Sequence, residues 1–362
     1  MKKYLILAAM AVLTLASCAK TIHTARTTDR DVPIGFNTAV GVPTKTDITT
    51  AVYPTDGTFK VWALFLATND FNIATNYSSS GSMFMNGVEM EYKGSGESNK
   101  YWAAKTGAYY WPKAGYLNFW AVSPATVSPT VAMQAASKSI TVTDFTPGDI
   151  DPATTNDLLF SDIVANKSGT DYTGTNGDDT TTGNDTGFPD YWGVNILFHH
   201  ALSRIEFQAK LGSNVNSNET IKLTNITVGS VLPTGTATIS AVAPTSTYSA
   251  GDVSWAATGT AADLVLLNAA TGALSGTAVP VGSARLIVPQ TSTGKTITVT
   301  VQSTISGISA TKDYTITLAA ADHGGAWEWG KRYIYTITVD ENEIHFDPAV
   351  VDWTGVNVDK TI

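Results

Sequence analysis

The sequence is short of cysteine, of charge and of long apolar runs. One cysteine, Cys18, occurs in 362 residues, so no internal disulfide can brace the chain. Charged residues make up only 15% and the formal net charge is −9. With no Lys/Arg stripe interleaved with aromatics, that balance excludes a polyanion-binding surface, and no nucleic acid partner is expected. One apolar run stands out, Leu5 to Leu15, and it is too short to span a bilayer. Long stretches with helical periodicity are scarce. What remains is a chain that is 43% hydrophobic, enough to bury a sizeable core and to rely on that burial for stability.

The start of the chain reads as an export address. Lys2 and Lys3 form a positive n-region, Leu5 to Leu15 an apolar h-region, and Ala16 and Ser17 are small, the pattern of a signal peptide over residues 1–17. Leu15-Ala16-Ser17-Cys18 has the residue types of a bacterial lipobox. A thiol in that place takes a diacylglycerol group, and small neighbours let a membrane-embedded peptidase cut ahead of it. Cys18 is therefore the expected lipidation site. Several acyl chains, palmitate among them, anchor a protein stably where one chain binds only marginally.

After Cys18 the segment "AKTIHTARTTDRDVP" is polar and Thr-rich, which suits a tether. From Ile34 the pattern changes. Ile34, Phe36, Thr38, Val40 and Val42 alternate with small or polar residues, predicting a half-buried strand. The loop after it, "PTKTD", carries Lys45. Further on, "TFKVWALFLA" predicts a strand, and "MFMNGVEMEYK" predicts two short strands about an Asn86-Gly87 turn. "YYWPKAGYLNFWAVSP" places strands on either side of a Pro-Lys-Ala-Gly turn, and the polar low-complexity residues 166–187 form a loop.

"VNILFHHALSRIEFQAKL" predicts a buried strand running to His199, a brief turn, and a second strand through Ile205 and Phe207. Thr/Val-rich alternation continues in "TIKLTNITVG", "KTITVTVQSTI", "KDYTITL" and "RYIYTITVD", residues that fit a pleated, half-packed surface. The expected fold class is all-β, with two antiparallel β-sandwich domains, residues 46–195 and 196–362.

Motifs for chemistry are sparse. His199 and His200 are adjacent in a strand and point to opposite faces, so they cannot both bind one ion. His23, His323 and His345 lie far off without ligand spacing. The Asp/Gly-rich stretch 171–190 lacks the ordered spacing and closing Glu of a calcium loop. No Gly-x-Ser-x-Gly, phosphate-binding Gly loop or His-Glu-x-x-His occurs. The expectation is no metal, no cofactor, no catalytic residue and no enzymatic activity. Trp62, Trp102, Trp111 and Trp120 sit in strongly apolar strand contexts, which predicts core positions rather than a glycan-binding platform.

Taken in order, these segments resemble one family. The lipobox, the "IGFNT" strand with a basic loop after it, the aromatic block "YYWPKAGYLNFWAVSP", "DLLFSD", "FHHALSRIEF", "RLIVPQT" and the closing "WEWGKRYIYTITV…IHFDPAVVDW" are together similar to the fimbrillins of Bacteroidales, the Mfa-like surface lipoproteins that form type V pili. The resemblance implies two transthyretin-like sandwich domains of Greek-key type and no catalysis. It implies delivery to the outer membrane as a lipidated precursor, with residues 18–45 as a propeptide. A trypsin-like maturation protease then cuts after a basic residue, releasing the lipid and the first strand. A strand from another fimbrillin subunit fills the groove, giving a homo- or hetero-polymer, a surface fimbria that serves adhesion.

The matching loop carries Lys45 where the family usually has arginine. Arg26 and Arg30 are secondary sites, since a cut there leaves the 34–42 strand attached. The donor-strand candidate is the C-terminal segment "TGVNVDKTI", with Val356, Val358 and Ile362 on one face. A basal anchor would keep its lipid and first strand, and a tip subunit would carry an additional ligand-binding feature. The basic loop and the C-terminal strand point to a stalk subunit. From a different class, a surface lipoprotein that captures glycans would show exposed aromatics on one face.

Overall fold

The computed structural model of the chain describes residues 33–40, 53–72, 82–93, 101–135, 137–147, 156–169, 193–242, 248–341 and 343–353. The N-terminal half contributes β1 (Phe36–Val40), β2 (Phe59–Leu66), β3 (Ser82–Tyr92), β4 (Trp102–Ala104), β5 (Tyr116–Ser123), β6 (Thr130–Val131), β7 (Ser139–Phe145), β8 (Leu159–Ser161) and β9 (Val164–Lys167). There follow β10 (Val194–His200), β11 (Ser203–Leu211), β12 (Glu219–Val231), β13 (Thr234–Ser240), β14 (Val253–Thr258), β15 (Ala262–Leu267) and β16 (Val279–Ile287). The chain continues through β17 (Gln290–Thr291), β18 (Thr296–Ile305), β19 (Ile308–Thr317), β20 (Ala326–Trp327), β21 (Lys331–Val339) and β22 (Ile344–Asp352). Among the described residues, helix is confined to α1 (Ala320–His323) and one 3-10 turn at Ala250–Asp252. The fold is all-β.

The first eight-stranded sheet runs β2-β3-β4-β1-β10-β8-β5-β9, and an added β2–β5 pairing closes it on itself. Alternation along each strand then sorts side chains by face. Phe59, Val61 and Ala63 of β2, Leu117, Phe119 and Ala121 of β5, and Val194, Ile196 and Phe198 of β10 fill the interior together with Phe36 and Val40. The intervening residues of β2 and β5, among them Trp62, Leu64, Trp120 and Val122, look outward into a second core. That core is closed by the sheet β14-β13-β7-β6, which brings in Ile140, Val142, Ala237 and Ile239. This sheet takes strands from both sides of residue 195. The third core lies between the sheets β16-β11-β21-β22 and β15-β12-β18-β19.

Among the described residues most pairings are antiparallel, and two are not: β1 runs parallel to β10, and β11 parallel to β21. The outer strand β19 is exposed along most of its length, and Lys312 there lies over the Tyr314 ring. Lysine on an edge strand opposes pairing with another sheet.

Two expectations are corrected by the structure. The 34–42 segment was expected to be half-buried, yet every residue of β1 is buried, because the strand sits inside a closed sheet with a core on one face and Leu197 and Ala39 packed on the other. "MFMNGVEMEYK" is one continuous strand and not a hairpin. Gly87, at φ +68, lets β3 bulge between its pairings at Val88↔Val61 and Asn86↔Trp62, so the Asn-Gly pair accommodates the Trp62 ring instead of reversing the chain. A Cβ at Gly87 would lie 3.2 Å from Trp62 Cζ2. Gly87→Ala should therefore lower the unfolding free energy by about 1–2 kcal/mol in urea titration, while Asn86→Ala at the exposed neighbouring position changes it little.

Candidate strand-exchange site

Two elements hold β1. Phe36 to Val40 pair in parallel with Val194 to Phe198 over the whole strand. On the other side Phe36 pairs with Trp102 of β4. Just upstream, the Ile34 N–H donates to the Tyr109 carbonyl at 2.8 Å, and the Val194 N–H donates to the Gly35 carbonyl at 2.8 Å. Gly193 has a φ of +114, and a Cβ there would fall 2.2 Å from the Gly35 carbonyl carbon. The two backbones meet so closely that only glycine fits.

The seat is mainly aromatic. Phe36 meets Phe119 edge-on at 5.5 Å and Phe59 at 6.3 Å. Burying a side chain such as Ile34, Phe36 or Val40 contributes about 1.5–3 kcal/mol. On the opposite face, Asn37 Nδ2 donates to Asn195 Oδ1 at 3.0 Å, a polar contact that fixes register where apolar contacts would tolerate a slip of two residues. Thr38 fits less well: its Oγ1 is buried without a hydrogen-bond partner, which costs about 1–3 kcal/mol. Removing β1 would leave the edges of β10 and β4 open above an uncovered aromatic wall, an arrangement that accepts an added strand.

The C-terminal end of β10 carries the border of this site. His199 and His200 point to opposite faces, and each finds its own carboxylate. His199 Nε2 lies 2.9 Å from Asp162 Oδ1, and His200 Nδ1 lies 2.8 Å from Asp157 Oδ2. The two pairs tie β10 to β8, which face each other at Phe198↔Ser161, His199↔Phe160 and His200↔Leu159. Among the described residues no group of three His, Cys, Asp or Glu is placed to hold a metal ion. His200 also stacks on Trp353, with centroids 3.6 Å apart and planes at 6°. The Trp353 N–H donates to the Gly330 carbonyl, and the Gly330 N–H donates to the Leu202 carbonyl, each at 2.9 Å. The last described residue is thus fixed at the His200 end of β10.

Tyr53 lines the interior, stacked on Phe198 at 5.1 Å, and its hydroxyl donates to the Thr58 carbonyl at 2.9 Å. Burial is the first cause of a raised phenol pKa at Tyr53 and at Tyr248. Burial also pushes Tyr333 up to about 12.

Of the residues singled out in the sequence, Ile34, Phe36, Thr38 and Val40 come together in this seat. Val42, Cys18, Arg26, Arg30, Lys45, Val356, Val358 and Ile362 lie outside the described residues, as does the 171–190 stretch. Trp62, Trp102, Trp111 and Trp120 are all buried, so they form no glycan-binding platform. Asn195 and Gly193 were not singled out, and the two aspartate partners are the first and last residues of the "DLLFSD" segment, to which no role was given. Asn195 had a signal, being the polar residue inside the apolar run "VNILF".

The seat, its border and the closed all-β frame define a β-sandwich protein built around a strand from its own N-terminal region. Residues 49–353 match the model of the fimbrillin-like family, and the chain belongs to that family. No curated protein matches it. Among solved structures it is similar to a candidate cell adhesion protein from Bacteroides uniformis, at 17% identity and a TM-score of 0.49, covering 91% of this chain and 100% of that one. A fimbrial protein from Bacteroides vulgatus gives 15% and 0.49, over 89% and 99%. The tip fimbrial protein Mfa3 from Porphyromonas gingivalis gives 11% and 0.34, over 88% and 99%.

The seat yields two measurable expectations. Phe36→Ala should cost the intact chain about 3–5 kcal/mol, whereas Thr38→Val should raise its stability by about 1 kcal/mol, both read from urea midpoints. For the tyrosines, the folded state favours the neutral phenols of Tyr53, Tyr248 and Tyr333, so it holds protons that the unfolded chain gives up above pH 10. Their contribution is complete below pH 10 and is lost as pH rises through the folded values. Tyrosinate absorbance should show these groups ionising only in the step in which circular dichroism reports unfolding; ionisation of all tyrosines in one phase ahead of unfolding would contradict the assignment.

Proposed function

We propose that the chain is the precursor of a structural pilus subunit, non-catalytic and delivered to the cell surface as a lipoprotein. The observation that carries this reading is the placement of β1: a buried strand, paired on both sides, that precedes the basic residue Lys45 in the sequence. Membership of the fimbrillin-like family supports it.

In this reading Cys18 is acylated after removal of residues 1–17 and holds the precursor at the outer membrane. A trypsin-like protease cuts after Lys45, and residues 18–45 leave with β1. The opened seat then takes a strand from another subunit, with the C-terminal segment bearing Val356, Val358 and Ile362 as donor. Repetition gives a surface fimbria that serves adhesion. A seat in the N-terminal half and a donor segment at the C-terminal side suit this use, one receiving a strand and the other presenting one. A basal anchor of the same pilus would instead retain Cys18 and β1. A tip subunit would add a ligand-binding feature.

Limited trypsin digestion of the intact soluble chain should give a new N-terminus at Thr46 and an SDS-resistant ladder on gels. Lys45→Ala should suppress both. A protein that has lost β1 and stays strictly monomeric would sink the subunit reading, and assembled fibres still carrying acylated Cys18 would turn it to the anchor.

A further inference from the structure

The C-terminal segment repeats part of β1. Gly35-Phe36-Asn37-Thr38 and Gly355-Val356-Asn357-Val358 share glycine and asparagine at the same spacing, with an apolar residue between. One of the shared residues, the asparagine, answers to a feature of the seat. Asparagine is demanded where Asn195 accepts a side-chain N–H, while Gly193 closes on the backbone of residue 35 and leaves the residue type there open. Valine suits the third place better than the residue now there, because the Thr38 hydroxyl is buried without a partner and valine has nearly the same shape without the polar group. The likeness ends at Val358. Asp359 and Lys360 would fall at Ala39 and Val40, which are buried, so the incoming strand must leave the seat there.

We propose that Asn195 sets the register of the incoming strand, receiving Asn357 of a second copy of this chain, parallel to β10 as β1 is. The inference rests on the strand-exchange reading above and adds to it the orientation, the register and the residue that imposes it.

The geometry rules out the chain's own segment in this register. Trp353 is fixed at the His200 end of β10 by its stack on His200 and its bond to Gly330. Gly355 is two residues on, a reach of about 7 Å at ~3.3 Å per residue. The Gly193 end of β10 is roughly 23 Å from His200 on the same measure. The segment can start a parallel strand beside Gly193 only on another molecule. Bound back on its own chain it would have to run antiparallel, which loses the register that the asparagine match sets.

The test uses engineered thiols in the full chain carrying Cys18→Ser, which removes the one native cysteine. Asn195→Cys with Asn357→Cys, digested with trypsin and treated with copper phenanthroline, should give disulfide-linked dimers and higher oligomers. Three results overturn the proposal. A ladder that cross-links instead through Asn195→Cys with Asp359→Cys shows a different register while leaving strand exchange intact. A disulfide-closed monomer shows the chain's own segment in the seat. Loss of β1 with no assembly of any kind removes strand exchange itself, and the register with it. Because Asn195→Cys also disturbs the precursor, Val356→Phe provides a second reading in an unaltered seat. Phenylalanine restores the ring that Phe36 placed against Phe59 and Phe119, and dissociation of the assembled form should slow about tenfold; an unchanged rate counts against the register.

Discussion

The parallel contact between β1 and β10 is the constraint on which the N-terminal half depends. It closes a sheet that otherwise ends at β4 on one side and at β10 on the other. Closure removes two edges and covers an interior of Phe59, Phe119, Trp102 and Phe198. A strand added at the rim would leave one edge behind. A strand inserted between two others changes the whole sheet from open to closed, so occupancy of this seat behaves as two alternatives and not as a gradation.

The border at the C-terminal end of β10 connects this sheet to the rest of the chain. His199 with Asp162 and His200 with Asp157 fasten β8 to β10, while Trp353 brings the end of β22 onto His200. The same end of β10 leads through Ala201 and Leu202, both buried in the second core, into β11 and the C-terminal sandwich. Seat, linker and departing C-terminal segment therefore share one small region. Buried hydrogen-bonded pairs add little net stability, but they are costly to leave half-made. Here they favour a single relative placement of the strands they join.

Much of the fold could be read from the sequence because alternation reports burial directly. The Thr/Val-rich strands β12, β18 and β21 fall where the pattern put them, and the four tryptophans singled out are core. Adjacent histidines on opposite faces also followed from the two-residue period. What alternation does not carry is the identity or direction of a strand's neighbour. It marked Phe36 and Val40 as inward-facing without saying that β10 lies beside them in parallel, or that Asn37 has a counterpart in Asn195. Asn86-Gly87 shows a related limit: the dipeptide supplies a positive φ, and only the Trp62 ring facing it decides between a bulge and a turn. The aspartates that partner the histidines lie 43 and 37 residues away, beyond the reach of any local pattern.

The distance along the chain between the two asparagines, 158 residues, bears on the order of folding. Contacts between neighbours in sequence, such as β2 with β3, β18 with β19 and β21 with β22, close short loops and form early. The contact between β1 and β10 closes one of the longest loops in the molecule, and the entropy of that closure has to be met before the contact returns anything. The first strand among the described residues is thus among the last to be seated. Once the hairpins are complete, the place between β4 and β10 is the vacancy that remains, and β1 is the element that fills it.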